Sequence, residues 1–195
     1  NTVNTQKNGI TNVIFNLLQA FNTKDLEIGY VSINQPDSYY KGLIDVIGAS
    51  LYILSRSLNN PFKYVRELVK VAKGYDVIHV HGNSATMVLE MLAAKLAKVP
   101  LRIAHSHNTT CNLKFIDRIF RPLFHSLCNL NIACGQDAGK WLFRNRKFTV
   151  INNGIDTEKF RFNINKRKLL RDILRWNNFI VIGNIGNLLE QKNPL

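Results

Sequence analysis

The chain has 195 residues, of which 46% are hydrophobic, and this composition excludes an intrinsically disordered protein. Its length allows a full hydrophobic core within one large domain. The 26 Lys and Arg residues outnumber the 13 Asp and Glu residues, and the net charge of +13 calls for an anionic partner such as nucleic acid, a phospholipid surface or a phosphorylated substrate. Three cysteines without a Cys-x-x-Cys pair argue against a disulfide framework or a zinc cluster and favour reduced thiols.

The first predicted element is a helix that begins at a glycine. Apolar residues recur at helical spacing along one face, namely Ile10, Val13, Ile14, Leu17, Leu18 and Phe21. Gly9 therefore stands where a strand hands over to a helix. A glycine at this point is explained either by simple helix entry or by close approach of the backbone to a ligand phosphate. Residues 27–33 are predicted as the next strand, and Pro36 begins the loop that closes it.

Residues 43–54 contain the longest apolar run, which Asp45 and Ser50 interrupt and which is too short to span a bilayer. We predict a helix there, packed on the core or resting on a surface. Another helix is predicted from Asn60, the N-cap, to a stop at Gly74. Its apolar side lies opposite a basic side, which indicates either a packed helix with a solvated charged face or a helix that docks on a membrane.

From residue 76 to residue 151 short strands alternate with helices. The strands are predicted at 76–81, 101–107, 131–134 and 149–151, and the helices at 84–97, 113–127 and 137–144. This alternation predicts an α/β fold, a Rossmann-like parallel sheet with helices on both faces. Because ligands bind beyond the carboxyl ends of such strands, His81, His107 and Gly135 are expected to face one crevice.

Two histidine pairs lie near the ends of neighbouring predicted strands. His79 and His81 share one face of their strand, and His105 and His107 share one face of the next. Four such imidazoles have the chemistry of a metal site, but no carboxylate or cysteine completes an obvious ligand set. We therefore expect single histidines that satisfy a polar crevice, with no metal and no cofactor.

The alternation ends at residues 152–156, which form the best candidate for a domain boundary. A basic helix is predicted at 166–175 and a buried strand at Phe179–Gly183, which runs into a glycine turn ending at Gly186, with Lys192 beyond it. Backbone N–H groups at such a turn and a nearby lysine suit phosphate oxygens. The spacing matches neither a dinucleotide fingerprint nor an NTPase loop, so an ordinary tight turn is the alternative.

The order of these features resembles the retaining nucleotide-sugar glycosyltransferases of family 4, the "group 1" enzymes of GT-B architecture. The series comprises Asn8-Gly9-Ile10, the strands ending in His81 and His107, Asn153-Gly154-Ile155-Asp156, and the turn from Gly186 to Lys192. Two segments, Arg102–Thr109 and Ala138–Phe143, are similar to the bacterial capsular and exopolysaccharide branch. The resemblance covers nearly all of the chain.

The resemblance implies roles for five residues. His107 would be the catalytic residue beside the donor sugar, with a loop histidine bonded to backbone as the alternative. Gly9 and Gly186 would lie against the donor diphosphate, and Lys192 would neutralise the departing diphosphate. Asn187 would stand in the donor site where the family has an arginine, and it supplies no charge.

Other departures concern the extent of the chain. The family's pair of donor-site glutamates lies further along than Leu195, and the apolar first strand expected before Gly9 is missing. Asn8 replaces the first glycine of the family loop, and Asn153 replaces the usual proline. We expect that this fragment alone neither folds with full stability nor transfers sugar.

The resemblance implies two domains. Residues 1–155 would form the N-terminal acceptor-side Rossmann-like domain, and residues 156–195 a linker helix and the start of the nucleotide-sugar-binding domain. The full enzyme would move a sugar, with retained configuration, from a nucleoside diphosphate sugar to a polysaccharide or lipid-linked saccharide in capsular or exopolysaccharide biosynthesis. It would be cytoplasmic, with a peripheral contact on the anionic inner face of the cell membrane.

Two other functions stay open. Asn187 favours a non-catalytic binding protein of the same architecture. The positive charge favours a nucleic-acid-binding domain, but the sequence has no compact arginine-rich tract, zinc spacing or stacking motif, so we expect no nucleic acid partner.

Overall fold

A computed structural model describes residues 8–55 and 60–183. The helices are α1 (Gly9–Ala20), α2 (Ser38–Ile47), α3 (Pro61–Ala72), α4 (Val88–Leu96, preceded by a 3-10 turn at Ala85–Met87), α5 (Lys114–Leu127), α6 (Gln136–Phe143) and α7 (Ile164–Ile173). The strands are β1 (Gly29–Ser32), β2 (Ser50–Ile53), β3 (Val77–Gly82), β4 (Leu101–Ser106), β5 (Leu130–Ala133) and β6 (Thr149–Val150). The chain divides into two compact units between Ile155 and Asp156.

All strand pairs in the described residues are parallel, as the alternation predicted. β1 pairs with β2 in a two-stranded sheet, and β3, β4, β5 and β6 form a four-stranded sheet in that order. In the larger sheet Val77 lies opposite Leu101 and His81 opposite His105, so β3 and β4 end level with each other. The α/β fold class with parallel sheets is confirmed.

Local sequence signals place the helix ends correctly. Asn8 and Asn60 cap α1 and α3, since each side-chain oxygen accepts a hydrogen bond from the backbone N–H three residues on. Gly74, just past α3, has a φ of 93°, a backbone angle that glycine adopts without a steric penalty. Caps of this kind need only neighbouring residues, and the sequence predicts the Asn60 cap and the Gly74 stop; the cap at Asn8 was not predicted.

The first unit contains several apolar clusters rather than one. The largest lies under the four-stranded sheet, where Val80 and Ala104 pack with residues of α4, α5 and α6. A second joins α1, β1 and α2 around Phe15 and Tyr40. A third joins α3 and α4, and there the Tyr64 hydroxyl donates a 3.0 Å hydrogen bond to the Glu90 carboxylate.

Two sequence predictions are wrong. Residues 43–54 do not form one helix, because Gly48 ends α2 in a left-handed conformation (φ 73°) and residues 50–53 become β2 beside β1. Phe179–Gly183 is not a strand: Ile180 and Ile182 are 94% and 93% exposed, and the described part of the second unit has no strand beside them. A strand needs a partner strand for its backbone hydrogen bonds.

Burial differs in detail from the helical patterns. Phe15 and Thr11 are buried in α1, whereas Phe21, predicted on its apolar face, is 61% exposed. Phe62 of α3 is 84% exposed. Across the residues that the structure describes, no helix is both long enough and apolar enough to cross a bilayer.

Candidate active site

Four histidines gather at the carboxyl ends of β3 and β4. The parallel register sets His81 opposite His105, and the two-residue period of a strand puts His79 on the same face as His81. His107 follows β4 directly, and its backbone N–H donates to the Gly82 carbonyl at 2.9 Å. The sheet therefore brings the two sequence pairs together into a single histidine cluster, defined by His79, His81, His105 and His107.

Within the histidine cluster the rings are bonded across the strands and stacked along them. Nε2 of His79 lies 3.2 Å from Nδ1 of His105, and Nδ1 of His81 lies 2.9 Å from Nε2 of His107. The ring centroids of His79 and His81 are 4.1 Å apart, and those of His105 and His107 are 4.2 Å apart. Each cross-strand contact holds one N–H between two nitrogens, so the tautomer of one ring sets that of its partner.

Desolvation keeps these imidazoles neutral. With a smaller contribution from neighbouring imidazoles, it lowers the pKa of His107 to about 4 and that of His105 to about 3. It also lowers the pKa of His79, although this residue is exposed at the outer side of the cluster, where solvent weakens the effect. The pKa of His81 is also lowered, chiefly by desolvation. At neutral pH the histidine cluster offers hydrogen-bond donors and acceptors without positive charge.

The loops after β3 and β4 are tied to α6. The indole N–H of Trp141 donates to the Asn83 carbonyl at 2.9 Å, and the Ser106 hydroxyl donates to the Ala138 carbonyl at 2.8 Å. The Asn83 side-chain amide donates to the Thr110 carbonyl at 3.0 Å. These bonds hold the segments on either side of His81 and His107, which limits the positions that the two rings adopt.

A buried ion pair lies behind these loops, and sequence analysis missed it. The carboxylate of Asp117 accepts a 2.6 Å hydrogen bond from the Ala85 N–H and pairs with Arg121 one helical turn later in α5. The Arg121 guanidinium also donates to the carbonyls of Trp141 and Leu142. The available signal was an acid and a base four residues apart within an apolar helix, a spacing that places both on one face.

Of the other four predicted site residues, the structure describes Gly9. Gly9 is the first residue of α1, and a Cβ atom built on it meets no other atom within 4 Å. Packing within the described residues therefore does not require a glycine at this position. Gly186, Asn187 and Lys192 lie outside the described residues.

A cavity of about 640 Å³ lies away from the histidine cluster. Its lining comes from β5, β6 and the residues before each of them, including Asn131, Arg146 and Thr149. Neither Gly9 nor His107, the predicted site residues within the described part of the chain, contributes to it. Cavity size alone would therefore point to a different place than the sheet topology does.

Comparison with known proteins agrees with the fold and with the motif series. The sequence model described as Glycosyltransferase Family 4 matches residues 7–159, which is most of the chain. The chain belongs to glycosyltransferase family 4. The resemblance inferred from the ordered motifs is confirmed.

Two curated relatives of this family 4 chain have glycosyltransferase names. The chain is 29% identical over 205 residues to EpsF of Bacillus subtilis (strain 168), whose name gives it as a glycosyltransferase, and the match covers 96% of the chain and 53% of EpsF. It is 32% identical over 153 residues to the UDP-Gal:alpha-D-GlcNAc-diphosphoundecaprenol alpha-1,3-galactosyltransferase of Escherichia coli, covering 71% of the chain and 39% of that protein. The chain spans about half the length of these relatives, or less.

A solved structure has the same fold. The crystal structure of Anabaena Alr3699/HepE in complex with UDP matches with a TM-score of 0.75 over 97% of this family 4 chain and 53% of the Anabaena chain. Sequence identity is 17%, so the likeness is one of fold. The α/β fold expected from the alternation of strands and helices and the GT-B architecture that the family resemblance implies are both confirmed.

Proposed function

We propose that the intact protein is a retaining glycosyltransferase that moves a sugar from a nucleoside diphosphate sugar to a lipid-linked saccharide in capsular or exopolysaccharide biosynthesis. Family membership supports transfer, and the Escherichia coli relative is named for a UDP-sugar donor and a diphosphoundecaprenol acceptor. The observation that carries the proposal is the neutral histidine cluster at the carboxyl edge of the sheet, which ends in His107.

His107 is proposed as the catalytic residue. Its Nε2 is held by His81, and no hydrogen bond in the described part of the chain engages its Nδ1. The Nδ1 atom is therefore the one that can hydrogen-bond a hydroxyl of the donor sugar. Because the ring is neutral, it can orient the sugar without placing positive charge beside an anomeric carbon that itself becomes positive during transfer.

The donor diphosphate is assigned to the remaining predicted residues. Gly9 and Gly186 would let the backbone approach the phosphate oxygens, and Lys192 would stabilise the negative charge that develops on the leaving diphosphate. Asn187 would contribute a hydrogen bond where the family uses an arginine. Lys192 would then be the main cation of this diphosphate site.

Residues 1–155 are proposed as the acceptor-side domain and residues 156–195 as the linker and start of the donor-binding domain. The division between Ile155 and Asp156 fits these bounds. Because the proposed donor site needs residues beyond Leu195, we propose that residues 1–195 alone do not transfer sugar.

The test is an assay of the intact protein with a panel of UDP-, GDP- and dTDP-sugars and GlcNAc-diphosphoundecaprenol as acceptor. We expect one donor to yield a product longer by one sugar, with the donor's anomeric configuration in its NMR spectrum. Binding of a nucleotide sugar without transfer to any acceptor would favour the non-catalytic binding protein. Salt-dependent binding of random DNA without nucleotide-sugar binding would favour the nucleic-acid alternative.

A lipid-linked acceptor requires the enzyme to work at a membrane surface, and α5 has a suitable face. The exposed apolar side chains are those of Leu113, which directly precedes α5, and of Phe115, Ile116, Ile119, Phe120 and Leu123 within it. Exposed Lys114 and Arg118 flank this surface, which we name the α5 apolar face. Apolar side chains beside basic ones fit an anionic lipid surface, where the rings enter the acyl boundary and the cations meet headgroups. We therefore propose peripheral binding to the inner face of the cell membrane through α5.

A double substitution in α5 tests this surface. Phe115→Glu with Ile119→Glu is expected to lower the fraction of intact protein that sediments with phosphatidylglycerol vesicles by about tenfold, since two carboxylates oppose both insertion and the lipid charge. The matched control is Phe62→Glu on α3, which changes an equally exposed aromatic residue on a basic helix. Equal sedimentation of the two variants would contradict the proposal. A change of oligomeric state with unchanged sedimentation would instead assign the α5 apolar face to a second copy.

A further inference from the structure

Trp141 in α6 reaches across to the loop that follows β3. Its indole N–H donates a hydrogen bond to the Asn83 carbonyl at 2.9 Å, although 58 residues separate the two in the chain. Asn83 directly follows Gly82, whose carbonyl accepts the backbone N–H of His107 at 2.9 Å. Trp141 therefore fixes the β3 loop one residue away from the point at which that loop holds His107.

The same loop is also tied to the segment that follows His107. The side-chain amide of Asn83 donates to the Thr110 carbonyl at 3.0 Å. His107 thus lies in a short stretch of chain that the β3 loop holds at two points, the His107 N–H and the Thr110 carbonyl. Within this stretch the His107 ring bonds to His81. A displacement of the β3 loop would therefore move both backbone anchors of His107 at once.

The indole ring of Trp141 has little freedom to turn away from Asn83. The guanidinium carbon atoms of Arg121 and Arg144 lie 5.4 Å and 5.3 Å from the ring centroid, distances at which a cation is attracted to an aromatic face. Arg121 is itself held by the buried carboxylate of Asp117. The direction of the indole N–H is therefore set in part by a buried ion pair.

We propose that Trp141 is a positioning residue for His107, which it places through the loop after β3. This inference rests on the proposed function, in which the Nδ1 atom of His107 hydrogen-bonds the donor sugar. Trp141 acts through the backbone of the loop and not on the sugar. A misplacement of about 1 Å at a reacting group can lower the rate by about 100-fold, so one loop hydrogen bond is enough to affect transfer.

The Trp141→Phe variant of the intact protein removes the N–H and keeps an aromatic ring beside the two guanidinium groups. We expect kcat for sugar transfer to fall by about tenfold and KM for the nucleotide sugar to stay within about twofold, because the diphosphate is assigned to other residues. The backbone N–H of His107 is expected to exchange with deuterium about tenfold faster, since the Gly82 carbonyl is held less firmly. The matched control is Trp176→Phe, which changes the other tryptophan of residues 1–195 and should alter neither quantity.

The Asn83→Ala variant breaks the second link of the loop, and it supplies the same measurements if Trp141→Phe unfolds at too low a temperature to assay. It is expected to lower kcat by about threefold or more and to speed deuterium exchange at His107. Because both variants release one loop, the loss of kcat in the double variant should be smaller than the product of the two single losses. A loss equal to that product would overturn the proposal, since the two residues would then act independently.

Deuterium exchange at His107 separates this proposal from the proposed function, because it needs no substrate. Unchanged exchange in both folded single variants would overturn the positioning role. Faster exchange in Trp141→Phe and not in Trp176→Phe would support that role even if the intact protein transferred no sugar, and the proposed function alone would then fail.

Discussion

His107→Ala in the intact protein is expected to lower kcat for sugar transfer by about 100-fold or more, a loss typical of removing a group that acts on the transition state. The reason is the position of the ring after β4, where its Nδ1 is available to a sugar hydroxyl while His81 holds its Nε2. The measurement is steady-state kinetics with the donor found in the nucleotide-sugar panel, together with calorimetric affinity for the nucleoside diphosphate of that donor.

Three comparisons separate catalysis from structure in this experiment. Affinity for the donor's nucleoside diphosphate is expected to stay unchanged in His107→Ala, because the diphosphate is assigned to other residues. His125→Gln is expected to keep full activity. His81→Ala should lower kcat by a smaller factor through the loss of positioning, whereas His81→Gln, which can still donate to His107, should restore part of it. Retention of more than a third of wild-type kcat in His107→Ala would rule out the proposed role.

The second large effect concerns stability. Asp117→Ala is expected to destabilise the first unit by about 3 to 5 kcal/mol, the range for breaking a buried ion pair by removing one partner. The Asp117 side chain is 2% exposed and that of Arg121 is 12% exposed. Loss of the carboxylate leaves the Ala85 N–H without its acceptor and the guanidinium without its counter-charge, although the guanidinium keeps its bonds to the carbonyls of Trp141 and Leu142.

Urea unfolding followed by Trp141 fluorescence measures this change. Trp141 contacts the Arg121 network, and a Trp176→Phe background removes the other tryptophan of the chain. The matched control is Glu67→Ala. It breaks a more exposed i,i+4 ion pair, in which the Glu67 carboxylate lies 3.9 Å from the Lys63 ammonium, and it is expected to lower the free energy of unfolding by less than about 0.5 kcal/mol. A cost for Asp117→Ala as small as that of the control would show that the ion pair does not hold the loops behind the histidine cluster.

Sequence analysis predicted the candidate site in part. The two-residue spacing within each histidine pair, together with the alternation of strands and helices, was enough to bring His81 and His107 to one edge of a parallel sheet. It did not show which histidine bonds to which, because cross-strand contacts depend on the register of β3 against β4. The role of Asp117 was equally hidden, since its partner Ala85 lies 32 residues away.

The α5 apolar face shows the same limit of prediction from the sequence. The helix predicted at 113–127 is present as α5, but Phe124 is buried while Phe115 is 76% exposed. Periodicity reports that apolar residues share one face of the helix, and it does not report what lies against that face. The difference between a core helix and a docking surface is decided by the neighbouring elements.

The sequence by itself determined the features that depend on nearby residues: the capped ends of α3, the strand and helix order from β3 to β6, and the motif series that shows family 4 membership. Tertiary structure alone decided that residues 50–53 become a strand beside β1, that residues 179–183 do not, and that four histidines form one cluster. The physical reason is that caps and helical periodicity are satisfied within a few residues. Strand pairing, burial and imidazole hydrogen bonds require partners that only the folded chain brings together.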